Sequence, residues 1–215
     1  LHESYRFPEP RDRVQVSVRK RTREGAFREV FSTVVDPGSR FVDRAEPAPR
    51  GELWSVLDSG PAASKVDLLI LGDGYTAEER ATFREHVERS VERLFSVEPF
   101  ARHREDFNVR ALFLAAPRSG ISRPRSGVWR SSPLGLSYNA FDSERYVLTF
   151  ANRRLREIAA QAPYDALILL ANEEKYGGGG IFNLWMTAAA RSKQFPYLLV
   201  HEFGHSFAGL ADEYY

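Results

Sequence analysis

The sequence contains no cysteine, a single methionine and no apolar run that approaches the roughly 20 residues of a membrane-spanning helix. Without cysteine, disulfides and thiolate nucleophiles are excluded, and any metal must be bound by His, Asp or Glu. The 30 basic and 29 acidic side chains nearly cancel, so the whole chain has no net attraction to nucleic acid or to a membrane surface. These absences exclude a membrane-spanning helix and argue against a nucleic-acid partner.

The composition is that of a globular protein, and the first 60 residues differ in pattern from the rest. With 215 residues, 43% of them hydrophobic, the chain is long enough to bury a core. Val14, Val16 and Val18 alternate with polar residues, and Phe27 to Val35 follow a turn. This pattern predicts a small N-terminal β module over residues 1–60, which can form part of a β-sandwich. Breaks rich in proline and glycine then place a domain boundary near residue 61, with a second domain over residues 61–215.

Residues 61–215 alternate between strand and helix patterns. Thr76 and Glu79 form a capping-box pattern, which predicts a helix that runs to about Phe95. Four glycines, 177–180, precede an apolar segment that we expect to be an edge strand, Ile181 to Thr187. The other predicted elements are strands over Val66 to Leu71, Phe107 to Ala115 and Asp165 to Ala171, a loop over Ser119 to Asn139 and a helix over Ser143 to Gln161. This order predicts an α+β or α/β fold.

The last segment contains the motif H-E-x-x-H, in which His201 and His205 flank Glu202. On a helix, residues four apart lie on the same face, where two imidazole nitrogens can bind one metal ion. Leu199, Phe203 and Phe207 repeat every fourth residue and are expected to bury another face of this helix. The motif therefore predicts one catalytic zinc ion, with Glu202 as the general base that takes a proton from water.

A catalytic zinc site usually has three protein ligands, so a third residue is required. Gly209 can end the helix in a left-handed conformation and turn the chain back towards the histidines. In the metzincin pattern the third ligand lies three residues after such a glycine, which here is Asp212. Glu213 is the alternative third ligand. Tyr214 or Tyr215 can either stabilise an oxyanion or pack on the helix end.

The motif belongs to a longer string, H-E-F-G-H-S-F-A-G-L-A-D-E-Y, that starts at His201. Together with the segments Lys65 to Ala77, Ser119 to Pro124, Gly135 to Phe141 and Tyr176 to Asn183, this string resembles the bacterial IgA-peptidase family of zinc metallopeptidases. The resemblance covers nearly all of residues 61–215. It implies a metzincin-like catalytic domain, a twisted mixed sheet with an active-site helix, behind the N-terminal β module. By position it implies His201 and His205 as zinc ligands and Glu202 as the catalytic carboxylate.

The same resemblance implies a secreted or periplasmic bacterial enzyme that hydrolyses peptide bonds of extracellular proteins, but it does not establish that immunoglobulin A is cut. A metzincin site also rests on a methionine-containing turn after the ligands, whereas the only methionine here, Met186, precedes them. We therefore expect the 215 residues to be a C-terminally truncated fragment with weak or absent activity of its own.

Two other functions fit the sequence. The first is a non-catalytic binding or adhesion protein with a structural or inactive metal site, which the intact Glu202 argues against. The second is a zinc amidase that acts on cell-wall amides or small peptides. Among the remaining polar candidates, Asp73 can line a cleft or simply stabilise a turn, while His86 and His103 are expected to be solvated rather than to bind metal.

Overall fold

The computed structural model describes residues 7–45 and 48–213, which form two compact units with these same limits. The smaller unit contains strands β1 (Val14–Arg21) and β2 (Phe27–Val35), paired antiparallel with a bulge after Val18. Val14, Val16 and Val18 are partly buried while the residues between them are exposed, as the alternation predicts. This unit is a two-stranded β ribbon.

The larger unit is built on one six-stranded sheet. Its strands are β3 (Glu52–Leu57), β4 (Val66–Asp73), β5 (Phe107–Phe113), β6 (Ala166–Ala171), β7 (Gly178–Ile181) and β8 (Trp185–Ala189). The order across the sheet is β3-β5-β4-β6-β8-β7; the four inner strands are parallel, and β3 and β7 are antiparallel edges. The helices are α1 (Arg80–Leu94), α2 (Asn152–Ala159) and α3 (Phe195–Ala208). The fold is therefore a mixed α+β domain, as expected.

Helices cover both faces of this sheet. Side chains of α1 and α3, among them Phe83, Leu94 and Phe203, pack on one face in a single apolar core. On the other face, Leu155 of α2 packs with buried residues of the long loop between β5 and α2. The buried inner strands have apolar side chains on both faces, which is typical of a parallel sheet between two layers. None of the described helices is long and apolar enough to span a membrane.

The boundary between the two units corrects the expected boundary near residue 61. The units separate around residues 46 and 47. Strand β3, which the sequence analysis assigned to the N-terminal module, pairs with β5 at the edge of the large sheet. Backbone hydrogen bonds to β5, more than 50 residues later in the chain, therefore decide which unit this short segment joins. The local sequence pattern does not predict these long-range bonds.

Two further predictions are also corrected. They are the edge strand predicted between β6 and α3, and the start of the helix that contains α2. The edge strand predicted over Ile181 to Thr187 is wrong, because the chain reverses at Asn183, which has a φ of 56°. The glycine run itself forms the edge strand β7, and β8 lies inside the sheet between β6 and β7. The helix predicted from Ser143 begins only at Asn152, since residues 145–148 are extended and hydrogen-bond to Ser137 and Gly178.

Asp73, at the carboxyl end of β4, fixes the long loop that follows β5. Its buried carboxylate accepts hydrogen bonds from the Ser132 hydroxyl at 2.7 Å and from the backbone N–H groups of Leu134 and Leu136 at 2.9 and 2.8 Å. Complete burial raises the pKa of Asp73 to about 6, although these hydrogen bonds lower it. The side chain thus holds a loop in place rather than lining a cleft.

Candidate metal centre

Helix α3 presents the H-E-x-x-H motif between a buried face and an open cleft. Pro196 lies in its first turn, and Gly209 ends it with a left-handed φ of 67°. Leu199 and Phe203 are fully buried against the sheet and Phe207 is partly buried, which confirms the predicted core face. The reversal at Gly209 brings residues 210–212 back along the helix.

The two histidines and Asp212 bring three ligand atoms together. Nε2 of His201 lies 3.2 Å from Nε2 of His205, and Oδ1 of Asp212 lies 3.3 and 3.2 Å from these two nitrogens. The three atoms form a nearly equilateral triangle. A tetrahedral ion with bonds of about 2.0–2.1 Å keeps neighbouring ligand atoms about 3.3 Å apart. The triangle therefore has the size of one face of a tetrahedral metal site.

Hydrogen bonds to the opposite ring nitrogens orient both imidazoles. Nδ1 of His205 lies 2.6 Å from the backbone carbonyl of Leu210, a contact that requires a proton on Nδ1 and leaves the Nε2 lone pair for a metal. Nδ1 of His201 lies 3.3 Å from the Tyr197 hydroxyl, and the two rings stack with centroids 5.1 Å apart. Burial lowers the pKa of His201, and the charge of His205 lowers it further. The neutral form of His201, which can bind a metal, is therefore favoured.

Glu202 is next to the triangle but is not part of it. Glu202 is only 8% exposed, and the nearby backbone N–H of Gly180 on strand β7 favours the ionised form of its carboxylate. Burial raises the pKa of Glu202 to about 7, with the charge of Asp212 raising it further and that of His205 opposing. A carboxyl group with such a pKa can both accept and donate a proton near neutral pH.

The other predicted site residues lie elsewhere. Glu213, the alternative third ligand, is exposed and is not in the group of ligand atoms. Tyr214 and Tyr215 lie outside the described residues. His86 is buried and hydrogen-bonded to the Tyr75 hydroxyl at 2.8 Å, which corrects the expectation that it is solvated, whereas His103 is exposed beside Asp106.

The metal centre opens into a cleft of about 450 Å³. One wall is β7 with the following Phe182, and the other is the loop before α2, including Phe141, Tyr146 and Leu148. Sequence reasoning missed these wall residues, because Tyr146 and Leu148 fall within the predicted helix and Phe141 lies between that helix and the predicted loop. The only signal was their chemistry, since several large aromatic side chains in a loop region are otherwise unexplained.

Strand β7 consists of glycines because helix α3 and the loop pack directly against it. A Cβ atom at Gly180 would lie 2.8 Å from Cβ of His205 and closer still to the carbonyl oxygen of Glu202. A Cβ at Gly179 would meet Leu148 at 2.7 Å on the other side. The glycine run therefore lets β7 pass within backbone contact of the H-E-x-x-H helix.

Gly180→Ala is expected to displace α3 from β7, because the new methyl group meets backbone that cannot rotate away. We expect a loss of roughly 1–3 kcal/mol in the free energy of unfolding, as for other overpacked sites. A shift of about 1 Å in the motif should lower kcat/KM on a peptide substrate by about 100-fold. Urea unfolding and a peptide-cleavage assay measure the two effects.

The matched control is Gly204→Ala, the same change within α3. There a Cβ would make only an ordinary contact, 3.4 Å from the Leu210 side chain, and alanine favours the helix. Gly204→Ala should therefore retain stability and activity. Equal losses in the two variants would contradict the close packing of α3 on β7.

The helix presents two histidines and a buried glutamate to an open cleft, and the carboxylate of Asp212 returns to the same point. This arrangement is typical of metal-dependent hydrolases. A family model described as IgA Peptidase M64 matches residues 55–215, and the chain belongs to this family of peptidases. The match confirms the resemblance seen in the motif and identifies the chain as a peptidase, for which the family indicates a metal cofactor. A comparison with curated proteins gives no match for this chain.

Proposed function

We propose that the chain is a zinc-dependent endopeptidase in which His201, His205 and Asp212 hold the metal and Glu202 is the general base. The observation that carries this proposal is the triangle of ligand atoms, with separations of 3.2 to 3.3 Å, directly beside a buried carboxylate. Three protein ligands leave a fourth position for water or substrate, which is the usual plan of a catalytic rather than a structural zinc site.

The donor set favours zinc over harder cations. Two neutral imidazoles and one carboxylate suit zinc, whereas calcium and magnesium prefer a full set of oxygen ligands. The donor atoms also lie 3.2 Å apart, which is close to the spacing of about 3.3 Å between neighbouring ligands of a tetrahedral zinc ion. The spacing therefore fits a four-coordinate ion. The hydrogen bond between Nδ1 of His205 and the Leu210 carbonyl supplies the outer support that metal-binding histidines usually have.

When bound, zinc polarises the scissile carbonyl and makes water more acidic. Glu202 takes a proton from the attacking water and later delivers it to the leaving amine. The burial of this carboxylate keeps its basicity high. A divalent cation nearby favours the ionised form of Glu202 and so opposes the effect of burial.

We propose that an extended substrate lies along the outer edge of β7. On this edge Gly178 already exchanges hydrogen bonds with the backbone of Arg145 and Val147. Beyond Gly178 the edge runs past the metal centre, where Gly180 and Ile181 line the cleft. Backbone pairing at this edge would set the register of the peptide, independent of its sequence.

The test is digestion of a mixed peptide library, read by mass spectrometry, before and after the metal is removed with phenanthroline. We expect weak cleavage of internal peptide bonds by the untreated chain, loss of this cleavage after chelation, and its recovery on addition of zinc but not magnesium. Cleavage that resists chelation would contradict the metal dependence. Release of single terminal residues would contradict the assignment as an endopeptidase. Cleavage of cell-wall fragments in a parallel digestion, without cleavage of the library, would favour the amidase alternative. Secretion or export to the periplasm remains part of this proposal.

A further inference from the structure

The wall of the cleft carries an exposed aromatic side chain on an unfavourable backbone. Phe141 lines the same cavity as the metal ligands, and its side chain is 75% exposed. Its φ is 53°, and its neighbours Asn139 and Asp142 also have positive φ values, 65° and 61°. Left-handed backbone is uncommon outside glycine and is an outlier for a bulky residue, so the surrounding structure must hold it.

Polar contacts of the residues directly after Phe141 hold this conformation. The Arg125 guanidinium donates to the Asp142 carboxylate at 2.7 Å and to the Asp142 carbonyl at 2.8 Å. It also pairs with Glu144 at 3.2 Å, and Glu144 in turn pairs with Lys175 at 3.2 Å. The loop is therefore fixed while the Phe141 ring stays uncovered, in edge-on contact with the half-exposed ring of Phe150.

The same cavity presents other aromatic side chains beside the charged groups of Arg145 and the candidate metal ligands. Tyr146, Tyr176 and Phe182 line the cleft with Phe141, and each of them is partly exposed. Large apolar side chains are normally buried on folding, and a group of them around a cleft is typical of a binding site. The position of this group beside the metal ligands, in a cavity of about 450 Å³, makes the substrate its natural occupant.

We propose that Phe141, with Tyr146, Tyr176 and Phe182, forms a specificity pocket for a bulky apolar side chain of the substrate, next to the bond that is cut. The proposal rests on the proposed zinc peptidase function and adds a substrate class to it. The ring of Phe141 is held open by strained backbone so that an aromatic or long aliphatic side chain can cover it. Binding then removes both surfaces from water, which favours such substrates over those with small side chains.

The experiment measures binding to the zinc-loaded chain of three metal-anchored probes, the hydroxamates of N-acetylglycine, N-acetylphenylalanine and N-acetylaspartate, by titration calorimetry. We expect the phenylalanine compound to bind roughly 10-fold or more tightly than the glycine compound, as burial of one aromatic side chain implies. Phe141→Gly should reduce this ratio to about 3-fold or less, since about half of the contact surface is lost.

The glycine variant also separates a binding role from a structural one. Glycine adopts a φ of 53° without strain, so Phe141→Gly should keep or raise the melting temperature. A structural role for the ring would lower it. Trp129→Ala is the matched control, because Trp129 is 70% exposed on the same loop but does not line the cleft, and it should leave the binding ratio unchanged.

Three results would overturn the inference. These are a phenylalanine-to-glycine ratio near one, a ratio that Phe141→Gly does not alter, and tighter binding of the aspartate compound, which would assign the pocket to acidic side chains through Arg145. Failure of all three probes to bind, together with absence of peptide cleavage, would instead overturn the zinc site itself and the inference with it.

Discussion

Glu202→Gln is expected to lower kcat on a peptide substrate by about 1,000-fold, the middle of the range for loss of a general acid–base residue. Glutamine has nearly the same size and shape as glutamate, but it cannot take a proton from water. Since Glu202 is not one of the three grouped ligand atoms, the variant should bind zinc as the unmodified chain does. Cleavage rates and zinc content measured on the same preparation separate the two effects.

The matched control for this variant is Glu173→Gln. Glu173 is as buried as Glu202, and it accepts a hydrogen bond from the Ile121 N–H, a contact that glutamine can keep. It lies outside the cleft, so this variant should retain activity. Turnover by Glu202→Gln at the rate of the unmodified chain would remove Glu202 from the mechanism.

Asp212→Ala is expected to weaken zinc binding by more than about 100-fold, whereas Glu213→Ala should change it little. Loss of an outer-shell partner alone costs 10- to 100-fold in metal affinity, so loss of a direct ligand should exceed that range. The structure supports this difference, because Oδ1 of Asp212 lies within 3.3 Å of both histidine nitrogens while Glu213 lies outside the ligand group. Competition with a zinc-sensitive dye measures both affinities.

The pair of variants decides between the two candidate third ligands in adjacent positions of the chain. Both changes remove one carboxylate near the site, so a general electrostatic effect would weaken zinc binding in both. Only direct ligation predicts a large loss in one of them. If Glu213→Ala had the larger effect, the third ligand would have to be reassigned to Glu213.

The helix and the ligand triangle could be predicted because they depend on local sequence. The spacing of His201 and His205 places them on one face of α3 whatever the rest of the fold, and Leu199 and Phe203 define the buried face. Gly209 indicated the end of the helix because a left-handed residue favours glycine. These short-range rules were sufficient to bring Asp212 to the histidines.

The walls of the cleft could not be predicted, because they depend on contacts between distant segments. The sequence pattern predicts a helix that includes residues 145–148, but their hydrogen bonds to Ser137 and to Gly178 prevent it. The glycine run was interpreted as a lead into a strand, yet it is the strand, because only glycine lets the backbone approach α3. In both cases tertiary packing overrides local preference.

The central claim, that this chain holds one catalytic zinc ion on His201, His205 and Asp212, is tested most directly by metal analysis of the purified chain. Mass spectrometry should find close to one zinc per chain, with zinc largely lost in His205→Ala and retained in the control His103→Ala, whose histidine is exposed beside Asp106. X-ray absorption of the same sample should show two imidazole nitrogens and a carboxylate oxygen at about 2.0–2.2 Å. A chain that binds no zinc, or that keeps its zinc in His205→Ala, would contradict the account.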